Sequence, residues 1–472
     1  IDELRVSLAR ERTEMYGAVY LGLTTGCAAC HDHKYDPLTQ RDFYALSAFF
    51  NNIAEKASCD DRVDWPPNIH LPTTAKRDAY NAVLKEKADI LRRLTERRQN
   101  ADALIRDWLA KDGPVPVAND ALELRLRLDE NPPADAERNV VRNSAPNATP
   151  ARLTSSGPPP QWGEETWLWP TFRLETNTKL SLGSIGDVEK EDAFSWGGWM
   201  KPRNVPGGKG WNTKSGALMA RMDATAGHRG WELHYNADDS LTVQLIHSHP
   251  GNMLAVATVG TTETRDPFRL HEGHHGGTPR NITLPRGNWR HVFVTYDGSA
   301  KAAGVTIYIN GVKQQVKVVK DTLTASIRSK ADTWLGRRHN GNPMQGTAFQ
   351  DIRFYRRLLS APEAARLMHE DVAAEIVAAK PHAQDWTVDE RKILEDAFCT
   401  QIDPDSRELR AQLPALNSKL VALHKGGALT LVCREKPGLA FAHLLDRGIF
   451  NARRERVRPD VPHFLPPLPA NV

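Results

Sequence analysis

Hydrophobic positions near the start of the chain recur at helical spacing. Leu4 and Leu8 begin an apolar stripe over residues 1–22, which predicts an amphipathic helix. A second helix is predicted from Thr39, because Asp42 three residues later completes a capping box. That helix carries an apolar and mostly aromatic set: Phe43, Tyr44, Leu46, Phe49 and Phe50. Such a stripe suits either a protein core or the wall of a flat cofactor, and the sequence leaves both interpretations open.

Two distant segments have the pattern of paired long helices. Residues 74–111 place apolar side chains on one face and Lys and Arg on the other. Residues 409–423 carry leucines at alternating spacings of four and three, the a/d pattern of a coiled coil. Pro414 is expected to kink this helix or to mark its start. We therefore predict an antiparallel stalk, preceded by a helix that begins at Thr387, where Glu390 completes a capping box.

The pattern between residues 166 and 370 changes to that of β-structure. Short alternating or β-branched runs recur there, at 231–235, 241–246, 289–296 and 305–309. Asn310-Gly311 predicts a two-residue hairpin turn, and Ser360 with Glu363 predicts the cap of a following helix. Many short strands at regular spacing are typical of a sandwich. The predicted fold class is multidomain α+β, with an all-β jelly-roll sandwich inserted into an antiparallel helical stalk.

The same patterns predict the domain organisation. In chain order we expect a helical segment with a haem-c motif at 1–72, a long stalk helix at 73–112, a Pro-, Ala- and Asn-rich linker at 113–165, the sandwich at 166–370, returning stalk helices at 385–425, and an extended tail at 426–472 that opens a further domain. The helical pattern is already under way at Ile1, and the tail is Pro-rich. We therefore expect the chain to be part of a longer protein.

Composition narrows the class of protein. The chain has 472 residues, 62 basic and 58 acidic, with a net charge of +4. This balance argues against a nucleic-acid binder driven by bulk charge. No apolar run approaches the length of a membrane span. Five cysteines do not make a disulfide scaffold, and we expect the scattered Cys59, Cys399 and Cys433 to be small buried side chains.

The strongest chemical signal is Cys-x-x-Cys-His, formed by Cys27, Cys30 and His31. This is the spacing used to attach a c-type haem. Two thiols one turn apart can each bond to a vinyl group of one porphyrin, and the adjacent imidazole can ligate the iron. A redox disulfide and a non-haem metal site are the alternatives, although the chain has no second Cys pair for zinc. His33 cannot easily reach the opposite face of a haem, so the sixth ligand stays open.

Both ends of the chain resemble domains described in planctomycetes. Residues 21–37, together with Gln40-Arg41-Asp42-Phe43-Tyr44 and Phe49-Phe50, resemble the planctomycete cytochrome-c-related domain family. Asp446-Arg447-Gly448 and Val457-Arg458-Pro459-Asp460-Val461-Pro462 are similar to the entry of the planctomycete-specific domain that follows it. The resemblance implies an exported protein, periplasmic or at the cell surface, with covalent haem c held by Cys27, Cys30 and His31 for electron transfer or redox chemistry.

The middle of the chain resembles a laminin-G-like, concanavalin A-type module. The matching runs are Phe194 to Trp199, Trp289 to Gly298, Tyr308 to Gly311 and Phe349 to Tyr355. The family implies glycan or protein binding, so the expected partners are a glycan or another surface protein, beside a redox partner protein. It also implies calcium in the sandwich, although Gln350 stands where the family often has Gly and Asp351 is one acid where it has two.

Several other residues are candidates for binding. His271, His274 and His275 form the densest histidine cluster, which suits a metal, a distal haem ligand or a polar loop. His247 and His249 alternate, so we expect them on one face of a strand.

Aromatic side chains can stack on sugars or pack in the sandwich core. The three candidates are Trp231, Trp289 and Trp334. A haem-free adhesion or matrix protein and a polysaccharide hydrolase are the alternative functions, and whether the protein is an enzyme stays open.

Overall fold

The computed structural model describes most of the chain, in two compact units. The described residues are 2–53, 68–130, 132, 137–166, 170–175, 177–202, 215–259, 288–339, 341, 343–344, 346–424, 427–431, 435 and 440–469. The first unit joins the described residues up to Thr73 with those from 427 onward. The second unit holds the described residues between them. Among the described residues, no helix combines the length and the apolar character that crossing a bilayer requires.

Eight α-helices are described, and short 3-10 or π turns extend several of them. They are α1 (Asp2–Tyr16), α2 (Gln40–Asn51), α3 (Arg77–Gln99), α4 (Asp102–Lys111), α5 (Ala361–Arg366), α6 (Glu370–Ala379), α7 (Val388–Ala397) and α8 (Pro404–His424). The predicted helix over 1–22 is α1 followed by a π-helical turn, Gly17–Leu21. The predicted long helix over 74–111 is divided into α3 and α4, with Asn100 and Ala101 between them.

The described strands are numbered β1 to β21. Those before the sandwich centre are β1 (Asn68–Leu71), β2 (Leu122–Leu126), β3 (Val140–Arg142), β4 (Arg152–Ser156), β5 (Gln161–Thr166), β6 (Pro170–Arg173), β7 (Lys179–Ser181), β8 (Phe194–Lys201), β9 (Gly216–Asp223), β10 (Arg229–Tyr235) and β11 (Leu241–Ser248). The remainder are β12 (Asn252–Thr258), β13 (Arg290–Tyr296), β14 (Val305–Ile309), β15 (Val312–Lys313), β16 (Val316–Asp321), β17 (Thr333–Leu335), β18 (Ala348–Tyr355), β19 (Ala428–Leu431), β20 (Ala442–Leu445) and β21 (Arg453–Val457).

The second unit contains a sandwich of two antiparallel sheets. One sheet has the order β16-β12-β11-β10-β9-β17-β7-β4-β3, and the other has the order β15-β14-β13-β8-β18-β6-β5, with β2 also paired to β18. Side chains alternate between core and outer face, so Leu241, Val243 and Leu245 are buried in the core between the sheets. Aromatic rings fill its centre, where Phe194 stacks on Trp196 with ring centroids 5.0 Å apart. The predicted jelly-roll-like sandwich is confirmed.

Helices pack beside the sandwich in the same unit. Ile90 of α3 contacts Leu409 and Leu416 of α8, in a cluster of leucine and isoleucine side chains. Arg97 near the end of α3 binds Asp403 just before α8 at 2.7 Å, so the two helices run antiparallel as predicted. Helix α8 begins at Pro404 and therefore contains Pro414, which does not mark its start.

The short-range signals in the sequence are confirmed. Thr39, Ser360 and Thr387 each cap a helix through a reciprocal capping box. Asn310 and Gly311 form the predicted hairpin turn with φ values of 49° and 74°, and they join β14 to β15. Glycine suits the second position because its missing Cβ removes the penalty of a positive φ.

The predicted linker at 113–165 is wrong. Four strands, β2 to β5, lie in this segment, and β2 pairs with β18 inside the sandwich. Leu124 and Leu126 are fully buried there, and Arg125 between them is also buried because it pairs with acidic side chains. The Pro-rich composition hid both β2, whose partner lies far along the chain, and the locally paired β3 and β4.

The tail at 426–472 also departs from the prediction of an extended chain. Strands β20 and β21 form a hairpin, and Ala442, Leu444 and Leu445 pack on the first unit's core with Phe43. In addition, β19 pairs with β1 in antiparallel register. The tail therefore belongs to the first unit, because its apolar residues complete the core beneath α2.

Candidate functional sites

The Cys-x-x-Cys-His motif lies on a short 3-10 helix, Thr25–Ala29, in the first unit. The Cys30 amide donates to the Cys27 carbonyl at 3.3 Å, which closes the turn. Both thiols are exposed and neither is in a disulfide. Cys399, by contrast, is buried. The motif therefore presents two free thiols, separated by one turn, to reagents in solvent.

The turn is held from below by helix α2 and the C-terminal hairpin. Tyr44 Oη donates to the Ala29 carbonyl at 2.9 Å. Gln40 Nε2 donates to the same carbonyl at 3.1 Å and to the Leu445 carbonyl at 2.9 Å. Burial raises the pKa of Tyr44 to about 12, so this hydroxyl stays a donor at neutral pH. Ala29 is thereby fixed between the two cysteines of the motif.

Gly448, in the turn between β20 and β21, lies against the motif. Its φ is +72°, and a Cβ at this position would lie 2.9 Å from Cys30 Sγ. Its carbonyl accepts from Arg10 Nη1 at 3.2 Å, which ties helix α1 to the same place. A side chain at this position would therefore displace the second thiol.

His31 and His33 differ in whether the lone pair of their Nδ1 atom is engaged. His31 Nδ1 lies 2.7 Å from the Asp32 carbonyl, which can only accept, so neutral His31 carries its proton on Nδ1 and leaves the Nε2 lone pair free. His33 Nδ1 lies 2.9 Å from the Asp36 amide, which can only donate, so its Nδ1 lone pair is occupied. His31 thus has the arrangement of a metal-ligating histidine oriented by a backbone carbonyl.

The aromatic stripe of α2 divides between core and surface. Phe43, Tyr44 and Leu46 are buried, and Phe43 and Tyr44 pack with Ala28 and Ala29 of the motif turn. Phe49 is exposed and Phe50 is half-buried. The core interpretation therefore holds for the first three residues.

A surface aromatic group adjoins Phe50. The ring of Tyr16 lies 6.1 Å from that of Phe50 and 4.9 Å from that of Tyr20. Tyr16 and Tyr20 were not singled out from the sequence, although their spacing of four on α1 and its extension could have indicated the pair.

Cys27, Cys30 and His31 fit the covalent attachment of a haem. Two exposed thiols and an imidazole with a free Nε2 are the protein groups that such attachment uses. No group of three or more His, Cys, Asp or Glu side chains arranged for a metal occurs within the described part of the chain. His271, His274 and His275, which include the predicted distal-ligand candidates, lie outside the described residues.

The three candidate tryptophans of the sandwich occupy different environments. Trp231 is buried in the core, and its Nε1 donates to the Gly186 carbonyl at 2.8 Å. Trp289 is buried in a second cluster beside helices α4, α6 and α7. Trp334 on β17 is half-buried, and its Nε1 donates to His339 Nδ1 at 3.2 Å. Trp334 is therefore the candidate that keeps some solvent access.

Trp334 belongs to a row of side chains across the outer face of the nine-stranded sheet. In the strand register it pairs with Ala220, which pairs with Glu232, which pairs with Gln244. Their neighbours Leu335, Leu233 and Leu245 point into the core, so this row points away from it. Because Ala220 carries only a methyl group, long side chains can cross above it.

The side chain of Arg338 crosses above Ala220 and reaches Glu232. Its Nε donates to Glu232 Oε2 at 2.6 Å and its Nη2 donates to Oε1 at 2.5 Å, a bidentate ion pair. Gln244 Nε2 also donates to Glu232 Oε1 at 3.2 Å. Glu232 has no exposed surface, yet Arg338 and then His234 outweigh its desolvation and lower its pKa to about 2. The carboxylate is thus held ionised on the sheet face. The sequence could have indicated this site only through the charged Glu232 within an apolar strand.

The other predicted histidines do not act together. His247 Nδ1 lies 2.7 Å from the Ser326 carbonyl, whereas the His249 ring lies 5.7 Å from that of His228. The strand register also shifts between Ile246 and Ser248. This irregularity interrupts the simple alternation on which the prediction of a shared face relied.

Asp351 is an ion-pair partner. Its Oδ1 accepts from Arg125 Nε at 3.1 Å, and its Oδ2 accepts from Arg353 Nη2 at 2.7 Å. Arg353 also binds Asp371 of α6 at 2.7 Å. All four side chains are buried, and the two guanidinium groups hold the pKa of Asp351 well below its usual range. Both oxygens face cations here, so the calcium prediction finds no support at this residue.

Two families match parts of the chain. Residues 174–365 match Laminin_G_3, the concanavalin A-like lectin/glucanases superfamily. Residues 1–55 match PSCyt2, described as a protein of unknown function (DUF1549). The first match confirms the predicted concanavalin A-type module. The planctomycete and cytochrome-c relation stays a prediction. A comparison with curated proteins gave no match.

Several solved structures match about half of the chain at low sequence identity. The binding domain of Paraclostridial Mosquitocidal Protein 1 has a TM-score of 0.37 and 15% identity, over 53% of this chain and 52% of that one. The Botulinum neurotoxin serotype G binding domain has a TM-score of 0.34 and 13% identity, over 52% of this chain and 50% of that one. The chain thus spans about half the length of these structures. Its second unit contains a sandwich module of the concanavalin A-like type.

Proposed function

We propose that this protein is a binding protein whose sandwich holds a glycan or another surface protein. The observation that carries the proposal is the sandwich of two antiparallel sheets, over a segment that matches the concanavalin A-like lectin/glucanases superfamily. The outer face of its larger sheet carries half-buried polar side chains at Gln244 and Arg338, and both are held in place by the buried Glu232. Oriented polar groups on a rigid sheet are what a specific binding site requires.

The test is a direct binding measurement with the full chain. We expect saturable binding to members of a glycan panel or to a purified surface protein, with competition by the same ligand free in solution. Heat-unfolded protein is the control, because it keeps the composition and loses the sheet. Binding that does not saturate, or that survives unfolding, would contradict the proposal.

We further propose that the first unit carries covalent haem c. Cys27 and Cys30 would form the thioether bonds, and His31 would ligate the iron through Nε2. When bound, haem supplies a one-electron redox couple. Tyr44 and Gln40 would keep the attachment turn in place through the Ala29 carbonyl.

The haem proposal also implies a cellular location. Haem c is attached outside the cytoplasm, so the protein would be exported to the periplasm or cell surface and would meet a redox partner protein there. The alternative is a haem-free adhesion protein, in which Cys27 and Cys30 form a disulfide.

Mass spectrometry of the protein, produced with a haem-attachment system, separates these alternatives. We expect an added mass of one haem that reductant does not remove, and a c-type pyridine haemochrome spectrum. Cys27→Ser and Cys30→Ser should each lose one thioether bond, whereas Cys399→Ser should keep both, because Cys399 is buried elsewhere. A colourless protein whose two motif thiols appear only after reduction would support the disulfide and end the haem proposal.

A further inference from the structure

Arg337 stands beside the Glu232–Arg338 pair but does not share it. Its guanidinium carbon lies 5.5 Å from the centre of the Trp334 ring, and its Nε donates to the Arg338 carbonyl at 3.1 Å. Among the described residues, no acidic side chain pairs with it. Arg338, in contrast, has its charge matched by Glu232. This corner of the sheet therefore has one positive charge that the described residues leave without a counter-ion.

The unpaired charge is partly removed from water. Arg337 is half-buried, and burial lowers its pKa from the usual 12.5. A guanidinium in that position has lost hydration without gaining a carboxylate, which costs free energy that a bound anion would return. The site is thus electrostatically incomplete in a way that an anionic ligand would correct.

The surroundings of Arg337 suit a sugar ring. Trp334 offers a flat apolar surface with a polar edge, the combination that aromatic side chains bring to amphipathic ligands. Its ring also favours a cation above it, so Arg337 and Trp334 support each other's position. Arg338, with 17% of its side chain exposed, adds a second guanidinium beside the charged group, and the buried Glu232 holds it in place.

We propose that Trp334 and Arg337, beside the Glu232–Arg338 pair, bind an acidic sugar residue, one that bears a carboxylate or a sulfate. The anion lies against Arg337, and the ring lies by Trp334 on the outer face of the nine-stranded sheet. This inference rests on the proposed binding function and narrows it to anionic glycans. A guanidinium matches either group through two parallel hydrogen bonds, so the test distinguishes them.

The experiment measures binding of the full chain to three immobilised polymers at about 0.15 M salt, where long-range charge effects are largely screened. Polygalacturonate tests the carboxylate, dextran sulfate tests the sulfate, and dextran is the neutral control. We expect binding to at least one of the two anionic polymers and none to dextran. The preferred polymer identifies the acidic group.

Matched variants locate the site. Arg337→Gln should weaken binding about tenfold or more, as loss of one charge-assisted contact does. Arg337→Lys should restore part of it, since the charge returns without the planar fork. Lys313→Gln on β15 makes the same charge change at an exposed position in the other sheet, and should stay within about twofold. Thermal unfolding checks that each variant is folded.

Three results would overturn the inference. They are equal binding to dextran, equal effects of Arg337→Gln and Lys313→Gln, and no binding to either anionic polymer. If the protein still bound a neutral glycan or a protein saturably, the binding function would stand while the acidic-sugar site would not. If no ligand of any class bound, both proposals would fail.

Discussion

Replacing Glu232 by Gln tests whether the buried ion pair stabilises the sandwich. The change keeps the side chain's shape but removes its charge, and it leaves Arg338, with 17% of its side chain exposed, without a counter-ion. Holding a carboxyl at a pKa of about 2 instead of 4.5 corresponds to about 3 kcal/mol of stability at neutral pH. Breaking a buried pair typically costs about 3–5 kcal/mol, so the two magnitudes agree.

The pH dependence has a defined sign. Because the folded protein binds the proton more weakly than the unfolded chain does, this contribution is fully present above pH 4.5 and is lost as the pH falls toward 2. The variant has no ionisable group at this position and should show no such loss. The difference in free energy of unfolding between wild type and Glu232→Gln should therefore shrink steadily below pH 4.5.

Urea unfolding followed by tryptophan fluorescence gives the free energies. Glu137→Gln is the matched control, because its partner Arg152 and Glu137 itself are both mostly exposed, and such pairs contribute about 1 kcal/mol or less. The double variant Glu232→Gln/Arg338→Met should recover part of the loss, since no buried charge is left unpaired. A loss below about 1 kcal/mol for Glu232→Gln, or an unchanged pH profile, would refute the reasoning.

The remaining predictions concern four other positions. Thr39→Ala should destabilise the first unit by about 1 kcal/mol in urea unfolding, because the N-cap of α2 is lost. Phe194→Ala should cost about 3–5 kcal/mol in the same assay, because it opens a cavity in the fully buried sandwich core. The stability that wild type loses as the pH drops from 6.5 toward 3 should exceed the loss in His291→Phe by up to about 5 kcal/mol, because burial lowers the pKa of His291 to about 3. Equal slopes in the two proteins would contradict the assignment. Gly448→Ala should cost about 1–2 kcal/mol for its positive φ alone, and should slow the reaction of Cys30 with a thiol reagent if the added methyl displaces that sulfur.

Local chemistry made much of the fold predictable. Thr39, Ser360 and Thr387 cap helices with acids three residues later. Asn310-Gly311 closes a hairpin through positive φ angles. These features are predictable because both partners lie within a few residues of each other.

The elements that escaped prediction depend on distant partners. Strand β2 has the alternating run Leu-Glu-Leu-Arg-Leu, but its place is set by β18, and its buried Arg125 is tolerated only because Asp351 and Glu375 lie beside it. The hairpin of the tail likewise needs the core of helix α2. Composition alone made both segments resemble unstructured chain.

The candidate sites divide in the same way. Cys27, Cys30 and His31 lie close together in the sequence, so their spacing alone indicated a haem-attachment motif. Glu232 and Arg338 meet only because three strands bring them into register. No pattern of neighbours in the sequence reports such a meeting.

The first unit contains an early and a late segment of the chain. It therefore cannot finish folding until the late segment has been synthesised. Helix α2 is made early, but Leu444, Leu445 and Val457, which pack against its apolar face, are made roughly 390 residues later. At ribosomal rates of about 5–20 residues per second, the interval is on the order of half a minute or more. We expect the sandwich to fold within that interval, while the turn bearing Cys27 and Cys30 is not yet fastened by Leu445. An enzyme that modifies these thiols would therefore find them most accessible before the hairpin of β20 and β21 has packed against the turn.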